Sequence, residues 1–314
     1  MQYRPLFLWR DRRRQGSTWS GKITAFAIEE YRMQTIQNVA TLRTALGEVK
    51  HSDRSIGLVP TMGFLHDGHR SLIRRARTEN EVVVVSVFVN PTQFGPNEDL
   101  TAYPRDTPRD LALIQAEEAD IAFFPSVEEI YPHGFTTYVT VEGLMTQTLC
   151  GRSRPTHFRG VTTVVSKLFH LVRPQRAYFG QKDAQQVAVL SRMVRDLEFD
   201  LDLVVCPTIR EPDGLAMSSR NTYLTPEQRA AAPGIFRALA EAVSRIRGGE
   251  RRAAEIANLV TERIKALPEA VIDYVAVVES TTLADMERIS GDALIAVAVK
   301  LGRTRLIDNV RLVV

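Results

Sequence analysis

Residues 81–89 read Glu-Val-Val-Val-Val-Ser-Val-Phe-Val, a run with almost no polar alternation. A strand that is apolar on both faces has to be covered on both, as happens inside a parallel sheet flanked by helices. The surrounding chain repeats the theme. Apolar runs at Ile56–Pro60, Ile121–Phe124, Arg176–Phe179 and Leu201–Cys206 alternate with helical patterns at His69–Thr78, Thr107–Ala119, Val161–Leu171 and Asp183–Leu197. Pro108 lies early in the second of these helices and Asp110 in its first turn, where each is favourable. A helix is also expected over Thr35–Leu46 and a peripheral strand over Thr136–Val141. Strands alternating with helices through right-handed crossovers predict an α/β fold, a doubly wound Rossmann-like parallel sheet with ligands at the carboxyl ends of its strands.

The pattern changes near Thr208. Pro226–Ile246 and Glu250–Leu267 read as helices, and Ile272–Val278, Leu294–Val299 and Thr304–Val313 as strands. Helices followed by strands predict a smaller C-terminal α+β domain. The expected division is a disordered extension over 1–32, a Rossmann-like ligand-binding domain over 33–207 and a C-terminal lid domain over 208–314, with Thr208–Leu224 connecting the last two.

Bulk properties narrow the function. The chain is 314 residues long, 44% hydrophobic and 25% charged, enough for an ordinary core. Its longest purely apolar runs, such as Val82–Val85 and Leu294–Val299, are too short to cross a bilayer, so no membrane span is expected. Cys150 and Cys206 have no CxxC or His-rich company, which favours two reduced cytosolic thiols over a zinc site or a disulfide framework. The net charge of +3 is unevenly placed, because residues 1–32 carry +4 and leave −1 for 33–314. A near-neutral body argues against a nucleic-acid face, which needs clustered Lys and Arg.

The chemistry begins where the Ile56–Pro60 strand meets its helix, in Pro60-Thr61-Met62-Gly63-Phe64-Leu65-His66-Asp67-Gly68-His69. A strand-to-helix turn with two glycines lets backbone approach an anion, and a helix start near His69 would add unpaired N–H groups. His66 and His69 add further donors. Neither GxxxxGK[ST] nor GxGxxG occurs in the chain, and His-x-Gly-His after a strand points to nucleotidyl transfer. A metal pair is the weaker reading, since no third ligand completes the set. Ala216-Met217-Ser218-Ser219-Arg220 would be an ordinary polar loop alone; paired with the histidine turn it becomes a phosphate clamp.

Three further segments, Asn90-Pro91-Thr92-Gln93-Phe94-Gly95, His157-Phe158-Arg159-Gly160-Val161 and Phe179-Gly180-Gln181-Lys182-Asp183-Ala184-Gln185-Gln186, complete a pattern that resembles the pantoate–beta-alanine ligases from about Met33 to the C-terminus. Gln181 departs from it, since members often carry Glu there. The resemblance implies ATP-dependent condensation of pantoate with beta-alanine to pantothenate, through a pantoyl adenylate, with release of pyrophosphate and AMP. It implies His69, His66, Lys182, Ser218, Ser219 and Arg220 as catalytic residues, and an ATP site of Met62, Gly63, His66, His69, Gly180, Gln181, Lys182, Asp183, Ile209, Met217, Ser218, Ser219 and Arg220. Gln93 and Gln186 would hold pantoate and beta-alanine. ATP is the expected co-substrate, Mg2+ arrives with it rather than in a protein cage, and a cytoplasmic homodimer is expected. Arg152, Arg154, His157 and Arg159 form a basic cluster read equally well as a cover over the site or a solvated loop. Competing readings are a nucleotidylyltransferase that leaves the nucleotide on its product, and a non-catalytic nucleotide- or nucleic-acid-binding protein.

Residues 1–32 precede the resemblance, and Met33 looks like a native start. The extension is arginine-rich without the apolar core of a secretory signal, so a mis-assigned start or a disordered arm is preferred over a targeting segment. It holds both tryptophans, Trp9 and Trp19. Indole emission should therefore be solvent-like, and a chain beginning at Met33 should keep full ligase activity and thermal stability. Blue-shifted emission together with activity lost on truncation would show the arm docked and functional.

Overall fold

The computed structural model describes residues 33–314, apart from Asp53 and Asn97. The expectation for 1–32 lies outside the described residues. The six-stranded parallel sheet comprises β1 (Gln34–Ile36), β2 (Ile56–Thr61), β3 (Val82–Val87), β4 (Ile121–Phe123), β5 (Arg176–Gly180) and β6 (Asp202–Cys206), in the order β1-β4-β3-β2-β5-β6. Its helices are α1 (Val39–His51), α2 (Asp67–Glu79), α3 (Thr107–Ala116), the short α4 (Val127–Ile130), α5 (Leu144–Gln147) and α6 (Cys150–Ser153), then α7 (His157–Val172) and α8 (Ala184–Asp196). This is the doubly wound fold expected.

Val82 through Val85 explain the layering. Val82 and Val84 join α1, α7 and α8 on one face, whereas Val83 and Val85 join α2 and α3 on the other. All four are at most 2% exposed, and each contributes about 1.5–3 kcal/mol of burial. The winding reverses between β2 and β5. These two strands pair only at Gly57–Arg176 and Leu58–Ala177 and then part, which opens a crevice at their carboxyl ends.

After β6 the chain forms α9 (Pro226–Ala231), α10 (Gly234–Arg247) and α11 (Ala253–Lys265), which pack on an antiparallel sheet of β7 (Ala270–Glu279), β8 (Asp292–Leu301) and β9 (Thr304–Val313). This is the smaller α+β part.

Four local expectations are corrected. Thr35–Leu46 is not one helix: Ile36, 3% exposed, is inserted beside β4, and Asn38 then caps α1 by accepting from Thr41 N at 2.8 Å. Thr136–Val141 is not a sheet strand and has no regular secondary structure. The Val139 backbone is engaged by the Thr162 and Thr163 hydroxyls of α7 instead of by a neighbouring strand. Pro226–Ile246 breaks at Pro233, which lacks the N–H to continue the helix. The helix expected at His69 starts at Asp67, with His66 as its cap.

Candidate active site

The crevice widens into a cavity of about 630 Å³. Its first wall is the turn after β2. Gly63 has φ +84° and Phe64 φ +49°, a conformation pinned by Asp110 of α3, whose carboxylate accepts from Phe64 N at 2.8 Å and Leu65 N at 2.7 Å. Asp110 is 2% exposed, and burial pushes its carboxyl up despite those two bonds. Its role as the anchor of this turn was not legible from its place in a helix start.

The two histidines fold back on the start of α2. His66 Nδ1 accepts from Gly68 N at 3.1 Å, and His69 Nδ1 accepts from His66 N at 3.3 Å, with ring centroids 4.1 Å apart. Gly68 is required here, because a Cβ would lie 2.8 Å from His66 Cε1. With both Nδ1 atoms accepting, each neutral ring carries its proton on Nε2. The His66 and Gly68 N–H groups are thus engaged by the imidazoles, and the rings themselves add Nε2–H donors for an anion. Burial first, then Lys182, lowers the His66 pKa to about 4. Burial, then His66 and Lys182, holds His69 well below its ordinary value.

The second wall follows β5. Lys182 is half-buried and its ammonium makes no hydrogen bond among the described residues. Burial, with help from Arg220, pushes its pKa down against the opposing pull of Asp183 and Asp308. Asp183, Gln185 and Gln186 also line the cavity, but the Gln185 amide is already engaged: it accepts from Cys150 N and donates to the Met145 and Thr148 carbonyls.

The third wall is the segment after β6. A hairpin bond from Met217 N to Ile209 O brings Ile209, Met217 and Ser218 to the cavity. Ser218 caps the turn over Ser219–Tyr223, and buried Ser219 donates to Phe64 O at 3.2 Å, joining this segment to the histidine turn. Arg220 is not a free donor. It forms a two-pronged bond to Asp99, with both N–O distances at 2.9 Å.

Gln93 closes the fourth side. Its side chain accepts from Asn90 at 3.0 Å, and its carbonyl accepts from His157 Nδ1 at 2.9 Å. Arg154 reaches Glu98 at 2.8 Å and lies 3.2 Å from His157 Nε2. Burial, then Arg154, lowers the His157 pKa to about 3. Gly160 lets α7 touch this corner, since a Cβ there would meet Thr92 O at 2.5 Å. The basic cluster therefore divides. Arg154 and His157 line the cavity, Arg152 is exposed, and Arg159 stacks on Tyr138 at 3.9 Å.

Of the expected site residues, Met62, His66, His69, Gln93, Gly180, Lys182, Asp183, Gln186, Ile209, Met217, Ser218 and Arg220 line this one cavity; Gly63, Gln181 and Ser219 do not, and Gln181 lines a second cavity. Arg154, His157, Asp99 and two β9 residues, Asp308 and Asn309, line it as well. The β9 pair carried no motif that would have marked it in the sequence. Among the described residues no group of three or more His, Cys, Asp or Glu side chains is placed to hold a metal ion, and no helix is long and apolar enough to cross a membrane.

Fold and site together define a nucleotide-dependent enzyme of the Rossmann-like α/β class. Comparison with known proteins makes this specific. Residues 34–311 match the family model described as Pantoate-beta-alanine ligase. The pantothenate synthetase of Moorella thermoacetica is 56% identical over 278 residues, covering 88% of this chain and 98% of that protein. The crystal structure of pantothenate synthetase from Thermus thermophilus superposes with a TM-score of 0.85 at 50% identity, covering 88% of this chain and 99% of that one. The ligase structure from Francisella tularensis, complexed with Beta-gamma ATP and beta-alanine, gives 0.73 at 34% identity, covering 89% and 97%. The chain belongs to the pantoate–beta-alanine ligase family, and its reaction is the ATP-dependent joining of pantoate to beta-alanine to give pantothenate.

The histidines set a pH dependence. Folded values of about 4 for His66 and about 3 for His157 lie below the ordinary 6.5, so the unfolded chain binds protons first as pH falls. Stability present at pH 7 is then lost through the range from 6.5 downward. Each such histidine should account for about 2 kcal/mol of loss between pH 7 and 5. Denaturant unfolding of His157→Asn at the two pH values should show a smaller acid loss than the parent chain by that amount; an equal loss would refute the assignment.

Proposed function

We propose that ligation proceeds as two half-reactions in this cavity. Mg-ATP lies with its phosphates among His66, His69, Lys182 and the Ser218–Arg220 segment, and Asp183 takes the ribose hydroxyls. Gln93 and Gln186 hold pantoate. A pantoate carboxylate oxygen attacks the α-phosphorus, the bond to the pyrophosphate oxygen breaks, and the amine of beta-alanine then attacks the carbonyl and expels AMP. The observation that carries this reading is the convergence of neutral Nε2–H donors, a lysine ammonium and an arginine on one cavity at the β2–β5 crevice. Fixed donors of this kind stabilise charge that grows on phosphoryl oxygens, and shared confinement puts the nucleophile in line. The Francisella complex, with its nucleotide and beta-alanine, supports the choice of ligands.

Two parts of this reading follow from the walls. Arg220 has to exchange Asp99 for phosphate oxygens, so Asp99 acts as an internal competitor of the nucleotide. Residues 33–207 hold ATP and pantoate, 208–314 act as a lid, and the enzyme works as a cytoplasmic homodimer.

With Mg-ATP and pantoate alone the enzyme should exchange labelled pyrophosphate into ATP, and a requirement for beta-alanine would exclude a separate adenylate. Lys182→Ala and His66→Ala should each slow exchange more than about tenfold, since one lost donor to a developing oxyanion costs about 2.7–4 kcal/mol. Asp99→Asn should lower the KM for ATP, and a raised KM would assign Asp99 to binding instead of competition.

A further inference from the structure

One buried polar pair contacts two walls of the cavity at once. Asp308 and Asn309 sit side by side on β9, 4% and 5% exposed, on a strand whose other buried side chains are Thr304 and Leu306. Burying a carboxylate and a carboxamide is costly unless every polar atom finds a partner. Here the partners come mainly from outside the sheet. Asn309 Nδ2 donates to Gln181 O at 3.0 Å and Lys182 O at 2.9 Å, while its Oδ1 accepts from Gln181 Nε2 at 3.1 Å. Asp308 accepts a forked pair from Arg210 at 2.7 and 2.9 Å, and one of its oxygens also accepts from Asn309 N at 2.8 Å. Arg210 in turn donates to Gly214 O at 3.1 Å, stacks on Phe236 at 3.8 Å and bridges Ala216, at the base of the hairpin that presents Met217 and Ser218.

We propose that Asp308 and Asn309 are positioning residues for the adenylation half-reaction. Asn309 fixes the backbone from which Lys182 projects, Asp308 fixes the hairpin that carries the Ser218–Arg220 segment, and their adjacency on one strand holds the two walls in a common frame. The C-terminal sheet thereby sets the distance across the phosphate end of the cavity. Gln181 takes part through its amide N–H, which a Glu at that position would lack. The inference rests on the roles given above to Lys182 and the Ser218–Arg220 segment.

Asn309→Asp tests it, being isosteric yet unable to donate to either carbonyl. In the full chain, amide hydrogen exchange over 180–184 should accelerate about tenfold or more while α10 and α11 stay protected. Pyrophosphate exchange with pantoate should slow about tenfold or more, with the pantoate KM within about threefold. If Asn309 acts through Lys182, adding Asn309→Asp to Lys182→Ala should change the rate by less than about twofold. Asp308→Asn should raise the KM for ATP and leave the pantoate KM unchanged. Should Asn309→Asp fail to fold, Asn309→Ala removes the donors without new charge and carries the same tests. Unchanged hydrogen exchange over 180–184, or a full multiplicative effect on top of Lys182→Ala, would overturn the proposal. Normal exchange of pyrophosphate by Lys182→Ala would instead remove the role of that lysine, and the hydrogen-exchange result would then decide the tether alone.

Discussion

The bond pair from Phe64 N and Leu65 N to the buried Asp110 carboxylate is the constraint around which the site is arranged. It holds the chain in the left-handed region at Gly63 and Phe64, so β2 can stop, reverse and start α2 within a few residues. His66 and His69 inherit their positions from that helix start. Ser219 then ties the third wall to the same turn through Phe64 O. The anchor comes from α3, which shares a core with α2 on one face of the sheet, so the packing of that layer fixes where the imidazoles stand.

Much of this was legible in the chain, for a physical reason that also marks its limit. A strand buried on both faces leaves an unmistakable run, as at Val82–Val85, and the carboxyl-end rule then predicts that the segments after β2, β3 and β5 meet. They do. Periodicity fails where the partner of a segment is a side chain: alternation over Thr136–Val141 is the same whether its backbone bonds to a strand or to the hydroxyls of Thr162 and Thr163. It fails again at β1, which is too short to show a period. Single residues divide in the same way. Gln185 and Gln186 are indistinguishable as neighbours and both line the cavity, yet the amide of Gln185 is engaged by the Leu144–Cys150 region while that of Gln186 makes no hydrogen bond among the described residues. Nothing local announces that Arg154 and His157 support Gln93, or that Arg220 lies against Asp99, because these pairings span tens of residues or more.

The cavity keeps its cations in unlike states. Arg220 and Arg154 are neutralised by the adjacent acids Asp99 and Glu98 on one loop, whereas Lys182 is left without a bonded counter-charge and is held down in pKa by burial. A triphosphate entering such a site would meet one desolvated ammonium at once and an arginine only after displacing an internal carboxylate. Charge of this kind favours a ligand able to satisfy several donors together over a single small anion, because only the former offsets the loss of the arginine–carboxylate bonds.

The folded-back imidazoles have a consequence of a different kind. A transition metal binds imidazole through a nitrogen lone pair. Here the Nδ1 lone pair of each ring already accepts from the start of α2, and the remaining nitrogen of each carries the proton. To ligate zinc or nickel, a ring would have to abandon a bond that shapes the helix start and change tautomer. Two histidines three residues apart thus form a chemically closed surface toward stray metal ions, while still presenting hydrogen to an anion.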